Sequence, residues 1–281
     1  MKRAAIMIAV LGISTGAWAQ DKPASQSAPS AQAAPAAPGK RAPAAKTQPE
    51  FDAYKAGIQL TDPAAAEKAA QDFSAKFPDS ELRVVLYKSA MQKYQANADK
   101  MLEMAQKALA IDPDDPEALV TASQVLAEKT RDTDLDRDQK IAEAKKDAER
   151  ALVTVDSDVP TAGFPPEKID QFKRFVRSEA YAILGTLASN AKNYAEAETD
   201  LRKSIEAFPE QVDPVAVLRL AIALDMQNKY PDALKYANQA VDLTKNQPDS
   251  PAAKAARSEQ DRLTRLSSGS APGQSAAPQK N

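Results

Sequence analysis

The sequence predicts an all-α fold built from stacked antiparallel helix pairs. Three observations carry this. Between about residues 50 and 266, apolar residues recur at spacings of three and four with almost no period-two alternation. The runs are broken by Pro, Asp and Asn clusters, at "KFPDS" (76–80), "IDPDDP" (111–116), "VDSDVPTAGFPPE" (155–167), "AFPEQVDP" (207–214) and "NQPDSP" (246–251). And residues recur at a spacing of 36, Tyr194 with Tyr230, Ala197 with Ala233 and Ser204 with Ala240. A period in the mid-thirties with two helices per unit marks a repeat array. An irregular bundle would leave those recurrences to chance.

Taken in order, the chain opens with Lys2 and Arg3, an apolar run from Ala4 to about Gly16, and the small–x–small site Ala17-Trp18-Ala19. This is the pattern of a cleaved export signal, 1–19, cut after Ala19. The apolar run is shorter than the ~20 residues that span a bilayer. With no cysteine after the site a lipid anchor is not expected, and no membrane span is expected after cleavage. The location this implies is periplasmic or extracellular. Residues 20–49, rich in Ala, Pro, Ser and Gln, have too little large apolar surface to offset their ordering entropy and read as a disordered tether. Residues 267–281 read as a disordered tail for the same reason.

In the folded span, 51–80 forms a degenerate first unit closing at Pro78. The next places Tyr87, Ala90-Met91, Tyr94, Ala105, Ala108-Leu109 and Pro113. A third pairs 115–129 with a helix bearing Ala144, Ala148 and Ala151, with "TRDTDLDRDQ" inserted between them. A fourth has its first helix from near Glu179, with Tyr181, Leu184-Gly185 and Ala188, then Tyr194, Ala197, Leu201, Ser204 and Pro209. The fifth offers Val217, Leu220-Ala221, Leu224, Tyr230, Ala233 and Ala240, its closing proline displaced to Pro248. Residues 250–266 read as a capping helix.

These residues resemble the tetratricopeptide repeat family over about five units, most clearly at 178–245. The resemblance implies a right-handed superhelix, a concave surface lined by the first helix of each unit, and a protein or peptide partner held there. Helix phase puts Gln124, Glu128, Thr186, Asn190, Arg219 and Met226 on that surface. Within a unit, the helices are expected to cross where Gly185 or Ala221 meets Ala197 or Ala233, since small residues let backbones approach. The Lys and Asn set with which some members grip a terminal carboxylate is not clear in these units.

Composition restricts the chemistry. With no His and no Cys among 281 residues, His-based triads and bases, thiolate nucleophiles and Cys/His metal sites are excluded. With 37 basic and 39 acidic residues and 5% aromatics, neither a basic face nor a stacking groove for nucleic acid is expected. No catalytic constellation and no cofactor are expected. One stretch invites a metal, "DTDLDRDQKIAE". Asp132, Asp134, Asp136, Asp138 and Glu143 follow the ligand spacing of a helix–loop–helix calcium site, with Arg137 where the turn glycine belongs. The other reading is a solvated acidic loop capping the next helix. The function expected is a non-catalytic scaffold of the cell envelope. The alternatives are a wall or glycan accessory or carboxylate enzyme, and a calcium-responsive module.

Overall fold

The computed structural model describes residues 40–161 and 163–267. The signal segment with Ala17 and Ala19, most of the tether and residues 268–281 lie outside the described residues. Among the described residues there are eleven α-helices and no strand. They are α1 Gln48–Ile58, α2 Pro63–Lys76, α3 Leu82–Lys93, α4 Ala98–Leu109, α5 Pro116–Lys129, α6 Arg137–Thr154, α7 Pro166–Asn190, α8 Tyr194–Ala207, α9 Pro214–Asp225, α10 Tyr230–Thr244 and α11 Pro251–Ser267. A 3-10 turn, Pro209–Gln211, precedes α9.

The starts follow local chemistry. Thr47, Asp62, Asn97, Asp115 and Asp213 accept hydrogen bonds from first-turn amides of α1, α2, α4, α5 and α9. Proline stands in the first turn of four of these five, where its missing N–H costs nothing. Helix α7 begins well before the expected Glu179. Pro165-Pro166 initiates it, and the half-buried Ile169, Phe172 and Phe175 pack its early turns against the core.

Each helix packs on its successor, giving five pairs and a closing helix. The even helices bury one narrow stripe, as with Ala144, Ala148 and Ala151 of α6, or Ala233, Ala237 and Ala240 of α10. The odd helices α5 and α9 bury most of their circumference. Odd helices also approach one another along the stack, α1 to α3, α5 to α7, α7 to α9 and α9 to α11, while no comparable contact joins two even helices. The odd layer is therefore the inner, tighter layer of a helical-repeat superhelix, and the even layer the outer one.

The 36-residue period is visible in the backbone. Lys192 and Asn228, 36 apart, both turn into the left-handed region (φ 63° and 61°). Behind them the Asn193 amide donates to the Ala188 carbonyl at 2.8 Å, and the Lys229 amide to the Leu224 carbonyl at 3.0 Å. Both are the long-range bond of a Schellman-type helix end. Two units thus reverse direction by the same device, although neither uses glycine.

At Gly185 the nearest neighbour is a large residue. A Cβ placed on Gly185 would stand 2.6 Å from Leu201 Cγ and 3.1 Å from the Leu201 backbone nitrogen, and Ala197 is not among its three nearest neighbours. The reason is direction. A Cα–Cβ bond tilts toward the N-terminus of its own helix, which in an antiparallel pair faces the later turns of the partner. Serine hydroxyls tie other crossings. Ser178 Oγ donates to the Ser204 carbonyl (2.9 Å) between α7 and α8, and Ser123 Oγ to the Ala144 carbonyl (2.6 Å) between α5 and α6.

The tether also ends earlier than position 49. Lys40–Lys46 lies along the body. Lys40 and Arg41 reach carboxylates that are distant in sequence, Asp112 and Glu81, which a composition-based reading of an Ala/Pro segment averages away.

Candidate functional site

The inner face of the odd helices carries the candidate partner surface. On α5, Glu117, Thr121, Gln124 and Glu128 share one face by helical spacing. Gln124 is half-buried and donates to the exposed Glu128 at 3.3 Å. On α9 and its C-cap, Arg219, Ile222 and Met226 share the corresponding face. Arg219 is half-buried, while Ile222 and Met226 are 40% and 52% exposed, large apolar side chains one turn apart. Helix α7 stands between them. Its Asn190 is exposed at the helix end, but Thr186 is not an open groove residue. It is 6% exposed and its hydroxyl donates to the Ala182 carbonyl at 2.7 Å, so both its surface and its donor are used within the fold. Four of the six expected residues therefore form two patches, a polar one on α5 and a mixed one on α9, with Thr186 buried and Asn190 at the end of α7 between them. Ile222 was missing from the expected set. Its signal was an apolar side chain one turn before Met226, outside the stripe that packs inward.

Between α3 and α5 lies a feature sequence reasoning missed, a half-enclosed charge network. Lys88 Nζ stands 2.8 Å from Asp115 and 3.0 Å from Glu117, with side-chain exposures of 20%, 8% and 10%. Gln92 donates to Glu117 at 2.6 Å, and Asp115 also caps α5 through the Ala118 amide. Burial pulls the Lys88 pKa down, but the charges and hydrogen bonds of the two carboxylates outweigh it and hold the ammonium well above the ordinary lysine range.

Two other carboxylates serve as hubs near the turns inside units. Glu67 accepts from Tyr94 (2.6 Å), Lys100 (2.8 Å) and Gln71 (3.0 Å), and Lys100 first, then Tyr94, hold its pKa below the usual range. Glu198 accepts from Lys229 (2.6 Å), Arg202 (3.0 Å) and Gln227 (3.0 Å). Burial would raise it, but these donors together lower it. Such groups are locked as anions and are poor proton donors near neutral pH. Asp147 on α6 is pushed the other way, to about 6, by burial and then by the charge of Glu143.

The acidic insertion does not assemble the calcium set. Arg137, in the glycine place, directs Nε to Asp132 (3.0 Å) and Nη1 to Asp138 (2.7 Å). Lys140 reaches Asp136 at 2.9 Å and Asp134 at 3.6 Å. The aspartates are drawn to two cations instead of to a common centre shared with Glu143. Among the described residues no group of three or more acidic side chains is placed to hold a metal ion. The loop surrounds only an open surface hollow, with Leu135 fully exposed at its tip.

Among the described residues no helix is long and apolar enough to cross a membrane. No protein-family model matches the sequence, and no curated protein matches it. Among solved structures it is similar to one described as "Assembly Chaperone of RpL4 (Acl4) (Residues 1-338)", at 13% identity and a TM-score of 0.40, over 78% of this chain and 97% of that one.

Proposed function

We propose that this chain is an exported scaffold of tetratricopeptide type, working in the cell envelope by holding a peptide or protein segment on the inner surface of its odd helices. One observation carries the reading. Stacking consumes the described chain, and the inner layer still presents Ile222 and Met226 beside Arg219 at one place and Gln124 with Glu128 at another. Exposed apolar side chains rimmed by polar groups are the ordinary makings of a protein contact. The paired, lowered carboxylates support a holding role over acid–base chemistry. The alternative, a carboxylate enzyme acting on wall or glycan, would rest on Asp147 with Glu143, which stand on the outer helix α6.

A photo-crosslinking residue placed singly at Met226, Gln124 or Leu243 of the full-length chain in cells tests this. Met226 and Gln124 should give a discrete adduct in the envelope fraction, and Leu243 on outer helix α10 should give none. Adducts at Leu243 alone would overturn the inner-surface reading. Mass spectrometry of the recovered chain should find Gln20 at its N-terminus. An intact Met1 in the cytosol would overturn export.

A further inference from the structure

Lys40–Thr47 runs along the edge formed by the loops between units. The Lys40 amide donates to the Ser157 carbonyl at 3.0 Å, and its ammonium reaches Asp112 at 2.6 Å and Asp158 at 3.4 Å. Arg41 donates to both oxygens of Glu81 at 2.7 Å. Lys46 donates from its ammonium to the Asp79 carbonyl (2.9 Å) and from its amide to the buried Glu50 (2.6 Å), while Ala45 packs on the core of the first two units. One short segment therefore touches the loops after α2, α4 and α6, holding units 1, 2 and 3 together.

The place it crosses is distinctive. Among consecutive odd helices, α3 and α5 have the sparsest backbone approach. The long side chains of Lys88 and Gln92 reach Asp115 and Glu117 across the joint, beside Ala118 and Ala122 of α5, which share the buried core of the first two units. On the outer side α4 packs directly on α5, and Leu102 and Leu109 of α4 touch the cores on both sides of the joint. A contact kept on one side and a polar span on the other leave one easy motion, a rotation about α4–α5 that changes the α3–α5 spacing on the inner face.

We propose that Lys40–Lys46 is a brace that fixes units 1 and 2 on unit 3 across the α3–α5 joint, and that its release lets the first two units swing. Each of its ion pairs is at least partly exposed, so singly weak and open to screening by salt. The brace works because all of them sit on a segment that Thr47 joins directly to α1, which makes every contact intramolecular.

The chain has no cysteine, so paired spin labels can be introduced in the full-length protein at chosen sites. Ala75 and Ala142, exposed on α2 and α6, report across the joint. Ala142 and Asp242, exposed on α6 and α10, report on units 3 to 5. Electron–electron distance distributions should be narrow for both pairs. In Lys40→Glu/Arg41→Glu the first should broaden at least twofold and the second stay unchanged. Asp112→Asn/Asp158→Asn, which releases the brace from the loop side, should reproduce this, as should molar salt. Amide exchange at Lys40 provides the check on release and should accelerate at least tenfold in both variants. A released Lys40 with an unbroadened first pair would overturn the proposal. So would equal broadening of both pairs, or a Lys40 amide already unprotected in the unmodified chain.

Discussion

The junction inside unit 4, α7 on α8, and the junction between α3 and α5 solve one problem in opposite ways. At the first, a glycine and two serines bring backbones together. Gly185 leaves no room for a Cβ beside Leu201, and Ser178 bonds directly to the Ser204 carbonyl. At the second, backbone approach is sparse and a lysine reaches across to two carboxylates. Close apolar contact fixes geometry by excluded volume, and any added atom is felt. A charged span fixes geometry only while every partner is present, because a lone buried charge is costly. The stack should therefore be rigid where it is made of small residues and conditional where it is made of charges.

The largest expected effect breaks the charged junction. Lys88→Met leaves Asp115 and Glu117 buried without their cation and should cost about 3–5 kcal/mol in denaturant unfolding. Adding Glu117→Gln should recover part of that loss. Since the Lys88 pKa is raised, the stabilisation by this lysine is fully present below the unfolded lysine pKa of about 10.4 and fades only above it. The deficit of Lys88→Met should thus be steady from pH 6 to 9. A deficit under about 1 kcal/mol would show that the span carries no load. Next, Gly185→Ala should cost about 1–3 kcal/mol, since its Cβ meets a Leu201 side chain and backbone that are fully buried. A neutral outcome would mean that α7 and α8 separate easily.

A gain of stability should follow at Asp147. Its folded pKa of about 6 lies above the unfolded value, so the folded state favours the proton, and the ionised group weakens the fold as pH rises through 6. Asp147→Asn should stabilise the protein by about 1 kcal/mol at pH 8, after allowance for partial solvent screening, and by little at pH 4. Equal melting shifts at both pH values would contradict this. The smallest effect is expected at Ser178→Ala, about 0.5–1.5 kcal/mol for one buried hydrogen bond, read from the urea midpoint.

The same contrast separates what sequence could reveal from what it could not. The recurrence of Tyr194 and Tyr230 pointed to repeating turns, and Lys192 and Asn228 adopt the same left-handed geometry there. Periodic small residues declare helix pairing because they are spaced by the helix itself. Which atom each one meets most closely depends on the tilt of the Cα–Cβ bond, and at Gly185 that is Leu201. Thr186 shares a helical phase with exposed positions on α5 and α9, yet it is buried in the closed middle of α7. Lys88 pairs across 27 residues and Lys40 across 72. No local pattern announces such pairings, and Lys40 lies in a segment whose composition reads as unstructured. The calcium spacing records where ligands fall in sequence, while Arg137 and Lys140 hold these aspartates in ion pairs that the spacing does not announce.

Residue-resolved hydrogen exchange on the full-length chain tests most directly whether two kinds of junction build the stack. A repeat array opens by units and interfaces, each at its own free energy. Amides of α7 and α9 should then exchange slowest, and those of α1 to α4 should open together at a lower free energy, reduced further by Lys88→Met. One common opening free energy from α1 to α11, unmoved by that substitution at the α3–α5 boundary, would contradict the account.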